Sequence, residues 1–222
     1  MEQKRENWGS RLGFIMAAAG SAVGLGNIWR FPYTAGENGG GAFILIYLAF
    51  VFVIGISVMI AELSLGRSAN TAAVGAFKKY DNRWTFVGVM GVLSAFLIMG
   101  FYPVVGGWSL AYIFKSFTGL VSDPSAVPAI FDAFIANPIE PIGWMLVYLF
   151  ANVAIVAKGI SGGIEKAGKV LMPMLFGLLV LLSIRSVTLP GAGAGMEFLL
   201  KPDFTKVTGE TFLAALGQAF FS

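Results

Sequence analysis

Residues 20 to 33 read GSAVGLGNIWRFPY. Gly20, Gly24 and Gly26 fall within seven residues of an apolar run, and Asn27 and Arg30 follow. Glycine costs a helix about 1 kcal/mol relative to alanine, so three of them weaken the middle of any helix formed here. An unwound stretch in apolar surroundings must have its backbone groups satisfied by protein or by a ligand. Its carbonyls suit a hard cation. Its amides, at the positive end of the half-helix that follows, suit a carboxylate. Asn27 adds a side-chain oxygen and Ser21 a hydroxyl. A cation beside a carboxylate fits a zwitterionic amino acid accompanied by a metal ion. Plain helix packing competes with this reading, because Gly20 and Gly24 also form the small-xxx-small spacing that lets two helices approach closely.

Other chemistry is sparse. The 222 residues include no histidine and no cysteine, which removes the commonest general base and any disulfide framework. Two nucleotide-site look-alikes fail. The run from Gly24 ends in Trp29 where a dinucleotide fingerprint needs glycine, and no strand precedes it. Gly163 to Lys169 approaches a P-loop, but Val170 stands where a Ser or Thr would hold magnesium. The chain is therefore not expected to be an enzyme. A net charge of +3 gives no reason to expect nucleic acid.

The elements that must position the glycine run are membrane helices. Charged residues make up 12% of the chain and hydrophobic ones 57%, with a mean hydropathy of +0.79; soluble domains carry about 25% charged residues. The expectation is an all-α integral membrane protein in a lipid bilayer. Residues 1–222 form one transmembrane domain in this reading, with spans at 12–35, 41–66, 84–116, 141–157, 165–185 and 210–222. At about 1.5 Å per residue the third exceeds a hydrocarbon core of roughly 30 Å. Lys4, Arg5 and Arg11 ahead of Ala17, Ala18 and Ala19 also resemble a secretory leader, against which Asn27, Arg30 and the later spans argue. Segments 1–11, 67–83 and 158–169 hold ten of the fifteen Lys and Arg residues, while in the alternate loops acids outnumber bases. The positive-inside bias places the N-terminus in the cytoplasm of a multi-pass cell-membrane protein. The run PGAGAG at 190–195 reads as an irregular turn. Only Arg30 and Glu62 fall at membrane depth, which makes them functional candidates. Arg30, near the outer end of its span, could instead snorkel, and Glu62, close to Arg67, could serve a structural hydrogen bond.

The motifs NWGSRLGFIMAAAGSAVGLGNIWRFPY and ENGGGAFILIY resemble the first and second spans of the neurotransmitter:sodium symporter family. FYPVVGGWSL resembles its third span, GISGGIEKAGKVLMPMLF its fifth with the preceding loop, and GQAFFS the start of its sixth. The likeness covers essentially the whole chain and is strongest to the bacterial amino-acid members. That family is itself the usual illustration of broken helices that bind substrate and ions at the midplane. The resemblance implies the first five-span repeat of a five-plus-five inverted-repeat fold, plus the beginning of span six. The function it implies is sodium-coupled symport of an amino acid by alternating access, with this chain an N-terminal portion. A non-transporting membrane fragment, or a half-repeat that binds a partner, is the alternative.

Residue roles carry over from the resemblance as follows. Gly20 and Val23 carbonyls would serve one sodium site. The Ala22 carbonyl and Asn27 side chain would serve a second, with Ser222. Spans seven and eight would supply the remaining ligands. The substrate carboxylate would meet the Leu25 and Gly26 amides and the Tyr102 hydroxyl. The substrate ammonium would meet the Ala22 and Phe221 carbonyls, with Ser222 close by. Ser21, Ile98 and Phe221 would line the side-chain pocket, and Ile98 and Tyr102, four apart, share a helix face. Gly24 stands where monoamine-carrying relatives have an aspartate, which favours a substrate with its own carboxylate, and Ser21 and Ile98 leave room for an apolar or aromatic side chain. Arg30 and Phe221 resemble an outer gate, and Arg5 and Trp8 an inner one. Tyr47, Gln218 and Ser222 match positions that hold chloride in chloride-dependent members; chloride use stays open, as does a homodimer.

Overall fold

The computed structural model describes residues 8–117 and 127–221. Every regular element among them is helical. The first helix, α1 (Arg11–Ala22), starts where Ser10 can cap it: the Ser10 hydroxyl accepts from the Gly13 N–H at 3.0 Å. It stops at residues 23–25. The chain resumes as a single wide π-type turn, Gly26–Arg30, that runs into α2 (Phe31–Glu37), and the two halves are bent by 54°. Thus the glycine run does break the first span.

The second span consists of α3 (Gly41–Phe50), a π-type turn at Val51–Gly55, and α4 (Ile56–Ala69). Gly39 and Gly40 precede it at φ +90° and +58°, a conformation open mainly to glycine. Next come α5 (Ala73–Tyr80), α6 (Thr85–Phe117), α7 (Val127–Ala136) and α8 (Ile139–Val156). Last are α9 (Glu165–Val187), entered through a π-type turn at Ile160–Ile164, then α10 (Ala192–Leu200) and α11 (Gly209–Phe221). Four helical segments are long and apolar enough to cross a membrane, and the bent first pair makes a fifth. The third, 33 residues in α6, is about 50 Å long at the helical rise. It carries Pro103 without interruption, as α9 carries Pro173.

The irregular turn expected over 190–195 is shorter than that. Gly191, at φ +85°, turns the chain, and helix follows at once because Ala, Met, Glu, Phe and Leu outweigh Gly193 and Gly195.

The chain divides into two compact units, Met1–Ser64 with Ile160–Ser222, and Leu65–Gly159. In the first, α1 packs on α9 and α11 packs on α3. Ala35, Phe43 and Ala215 form its buried core, flanked by Phe31, Ile46 and Tyr47. In the second, α6 packs on α8 and α5 on α6. Gly107 lies so close to the Met145 backbone that a Cβ would have no room, and Gly106 so close to the Tyr148 ring. Lys79 donates to the Ser68 and Ala69 carbonyls at 3.2 and 3.3 Å, closing the C-terminus of α4. Most large apolar side chains on the long helices remain exposed, as expected of surfaces that face lipid.

Candidate functional site

The regular ladder of α1 ends with Val23 N–H donating to Ala19 O at 2.8 Å. It restarts with Asn27 N–H and Ile28 N–H, both donating to Gly24 O at 3.1 Å. Between these points the carbonyls of Gly20, Ser21, Ala22 and Val23 stand outside the ladder. The Asn27 side-chain oxygen faces Gly24 N–H at 3.5 Å, a long and loose contact. Carbonyl oxygens and an amide oxygen are the donor set of a hard, weakly bound cation. No cluster of three His, Cys, Asp or Glu exists among the described residues to offer another kind of metal site. The break therefore suits a cation held mainly by backbone.

Gly26 is held from the far end of the chain. Gln218 on α11, only 2% exposed, donates from Nε2 to the Gly26 carbonyl at 3.0 Å. The Phe221 ring lies against Gly26 so tightly that a Cβ there would collide with it. The Phe221 ring also carries the Arg30 guanidinium, 5.3 Å from the ring centroid. Such a contact contributes about 0.5–1 kcal/mol at an exposed site. Gly26, Arg30, Gln218 and Phe221 thus form one constellation over the break. Tyr47 lies nearby in the same unit, its ring 4.8 Å from that of Phe31.

An apolar groove of about 410 Å³ runs between α1 and α9, lined by Met16, Ala17, Gly20, Val23, Gly168 and Met172 among others. Its lining includes no charged or hydroxyl-bearing side chain. Trp8 packs edge-on against Phe14, ring centroids 5.6 Å apart. Ile98 and Tyr102 lie in the second unit, four residues apart on α6. Arg5 and Ser222 lie outside the described residues. Glu62 is exposed on α4 and makes no hydrogen bond or ion pair among the described residues. Its proximity to Arg67 is only sequential, since five residues place two side chains about 140° apart around a helix.

One buried charge escaped the sequence reading. Glu165, 2% exposed, accepts from Gly9 N–H at 2.6 Å, from the Ser10 hydroxyl at 2.9 Å and from Lys169 Nζ at 2.6 Å. The i, i+4 spacing of Glu165 and Lys169 was the available signal. It marks an ion pair but not the distant partners.

An all-α membrane protein with a broken first span, gripped at the break by a distant helix, has the architecture of a transporter that binds its cargo on backbone groups. The chain matches the Sodium:neurotransmitter symporter family over residues 5–124 and 135–222, and it belongs to that family. It is 47% identical, over its full length, to half of an uncharacterized sodium-dependent transporter, YhdH, of Bacillus subtilis (strain 168). It is 32% identical over 99% of its length to 43% of the sodium- and chloride-dependent GABA transporter 2 of Rattus norvegicus. The crystal structure of MhsT in complex with L-phenylalanine superposes with a TM-score of 0.88 at 49% identity. That match covers 98% of this chain and 50% of MhsT. The chain spans about half the length of the curated relatives it matches. It corresponds to the first five-span repeat and the start of span six, and its relatives are sodium-dependent transporters.

Proposed function

We propose that this chain supplies the first half of a sodium-coupled amino-acid symporter, with the break at residues 23–25 as the centre of its binding site. The observation that carries the reading is the interrupted ladder. It leaves carbonyls on one side and the amides of Leu25 and Gly26, at the start of a helical segment, on the other. Sodium would be held by the carbonyls of Gly20, Ala22 and Val23 and by Asn27, with Ser222, at two sites completed by further spans. The amino acid's carboxylate would lie on the Leu25 and Gly26 amides, where the helix dipole favours it. Gly24 presents no side-chain charge, so the substrate must bring its own carboxylate. Ser21 and Phe221 would border an apolar or aromatic side chain. The bound L-phenylalanine of MhsT supports that class. Arg30 over Phe221 would close the outer side and Arg5 with Trp8 the inner. The N-terminus lies in the cytoplasm. Tyr47 and Gln218, with Ser222, would form the anion position if chloride is used, and a homodimer is compatible with the reading. Such a device moves ions and substrate and makes no covalent bond, so it is not an enzyme.

The test is uptake of radiolabelled L-phenylalanine and L-leucine into proteoliposomes holding the complete protein. Accumulation driven by an inward sodium gradient, and abolished when potassium replaces sodium, is expected. Equal uptake in both salts would overturn sodium coupling. Absence of any amino-acid uptake would favour a non-transporting role.

A further inference from the structure

We propose that Glu165 is the positioning residue that fixes the half-helix α1, and with it the carbonyls at the break, by acting as a detachable cap on the N-terminus of α1. The inference needs only the seam between α1 and α9, and it would survive the loss of the transport reading.

Helix α1 is joined to the rest of its span only through residues 23–25, where the ladder is interrupted and the axis bends by 54°. That joint transmits little. The placement of α1 must come from its lateral neighbour, which is α9. Three positions on one face of α1 meet three on one face of α9. Gly13 lies under the Glu165 carboxylate, a Cβ added at Gly168 would meet the Ala17 backbone at ordinary contact distance, and Gly20 faces Met172. The last two contacts are small and apolar, and they border the open groove. They hold the helices near one another but set no direction.

Direction comes from Glu165. Its carboxylate takes two donors from the start of α1, the Gly9 N–H and the Ser10 hydroxyl. The Ser10 oxygen in turn accepts from Gly13 N–H, so one hydroxyl relays the carboxylate to the first turn of the helix. An anion at a helix N-terminus gains from the dipole as well as from these bonds. Lys169 balances its charge at 2.6 Å. The glycines fit the same account. A Cβ at Gly13 would occupy the space of the carboxylate, and one at Gly9 would approach Glu165 Oε2 to 3.3 Å. Gly13 therefore stays in a helix it weakens because the carboxylate needs its place.

A buried carboxylate is costly to leave without its partners. When the start of α1 moves away, water must reach Glu165 or a new donor must replace the old ones. Intermediate positions satisfy neither demand, so α1 has a docked state and an undocked state with little between them. Because the carbonyls of Gly20 and Ala22 ride on α1, the latch also decides where the break presents them.

The test uses the complete protein in nanodiscs, on a cysteine-free background, with spin labels at Leu12→Cys and Val170→Cys, both exposed positions of the same unit. Double electron–electron resonance should give one narrow distance for the parent. Glu165→Ala should raise the share of a second, longer distance at least tenfold. Ser10→Ala removes the relay without touching α9 and should shift the same way, while Ser10→Thr, which keeps the hydroxyl, should restore the parent distribution. Gly13→Ala, which displaces the carboxylate sterically, should reproduce the Glu165→Ala result. A merely structural role would lower the melting temperature without creating a second distance. Parent-like distances in Ser10→Ala and Gly13→Ala would overturn the proposal, even if Glu165→Ala failed to fold.

Discussion

At the scale of single residues, the break is built less from the residues that could bind than from those that hold them. Gln218 and Phe221 grip Gly26 from opposite chemistries, one by a hydrogen bond and one by shape. Gly26→Ala must push the Phe221 ring aside, a strain of about 1–3 kcal/mol, and would move the amide that we assign to the substrate carboxylate. The expected outcome is a fall in amino-acid affinity of the complete protein, on the order of tenfold or more, read by isothermal titration. Binding as tight as that of the parent would remove Gly26 from the site. Asn27→Ala leaves the backbone in place and deletes one oxygen. The sodium concentration for half-maximal substrate binding should rise, and a scintillation proximity assay in a sodium series checks it. An unchanged sodium curve would mean that Asn27 is no ligand.

At the scale of elements, some features were legible in the sequence and others were not, for identifiable reasons. The break was legible because three glycines so close together leave a helix no propensity to spend. The succession of long apolar helices was legible because a bilayer fixes the length of an apolar run. The helix α10 was misread as a turn because Gly193 and Gly195 share a short segment with good helix formers, and only Gly191 needs a left-handed backbone. The π-type turns at Val51–Gly55 and Ile160–Ile164 left no trace that hydropathy could detect. The grip of Gln218 on Gly26 joins residues 192 positions apart, and no local pattern encodes that. Tight pairing of α6 and α8 belongs to this scale too. Gly107→Val would press a branched side chain into the Met145 backbone, which cannot yield as a side chain can. A loss of about 1–3 kcal/mol or more is expected, visible as a lower melting temperature of the detergent-solubilised protein. An unaltered melting temperature would show that the two helices can separate at little cost.

At the scale of the whole molecule, the chain forms two compact units. One unit holds the break, Arg30, Gln218 and Phe221; the other holds Ile98 and Tyr102. Its relatives are about twice as long. We expect the 222 residues expressed alone to show no sodium-driven accumulation in proteoliposomes, and the complete protein to show it. Accumulation by the 222-residue chain would mean that half the fold suffices, through pairing of two copies.

The contact between Ser10 and Glu165 also has a consequence in time. Its partners lie 155 residues apart. At roughly 5–20 residues per second of synthesis, on the order of ten seconds pass between the making of one and the other. Until Glu165 is made, the first helix lacks the carboxylate that accepts from Gly9 and Ser10 at its start. A biosynthetic arrest before residue 165 would therefore leave a chain whose first helix is made but not yet capped by that carboxylate.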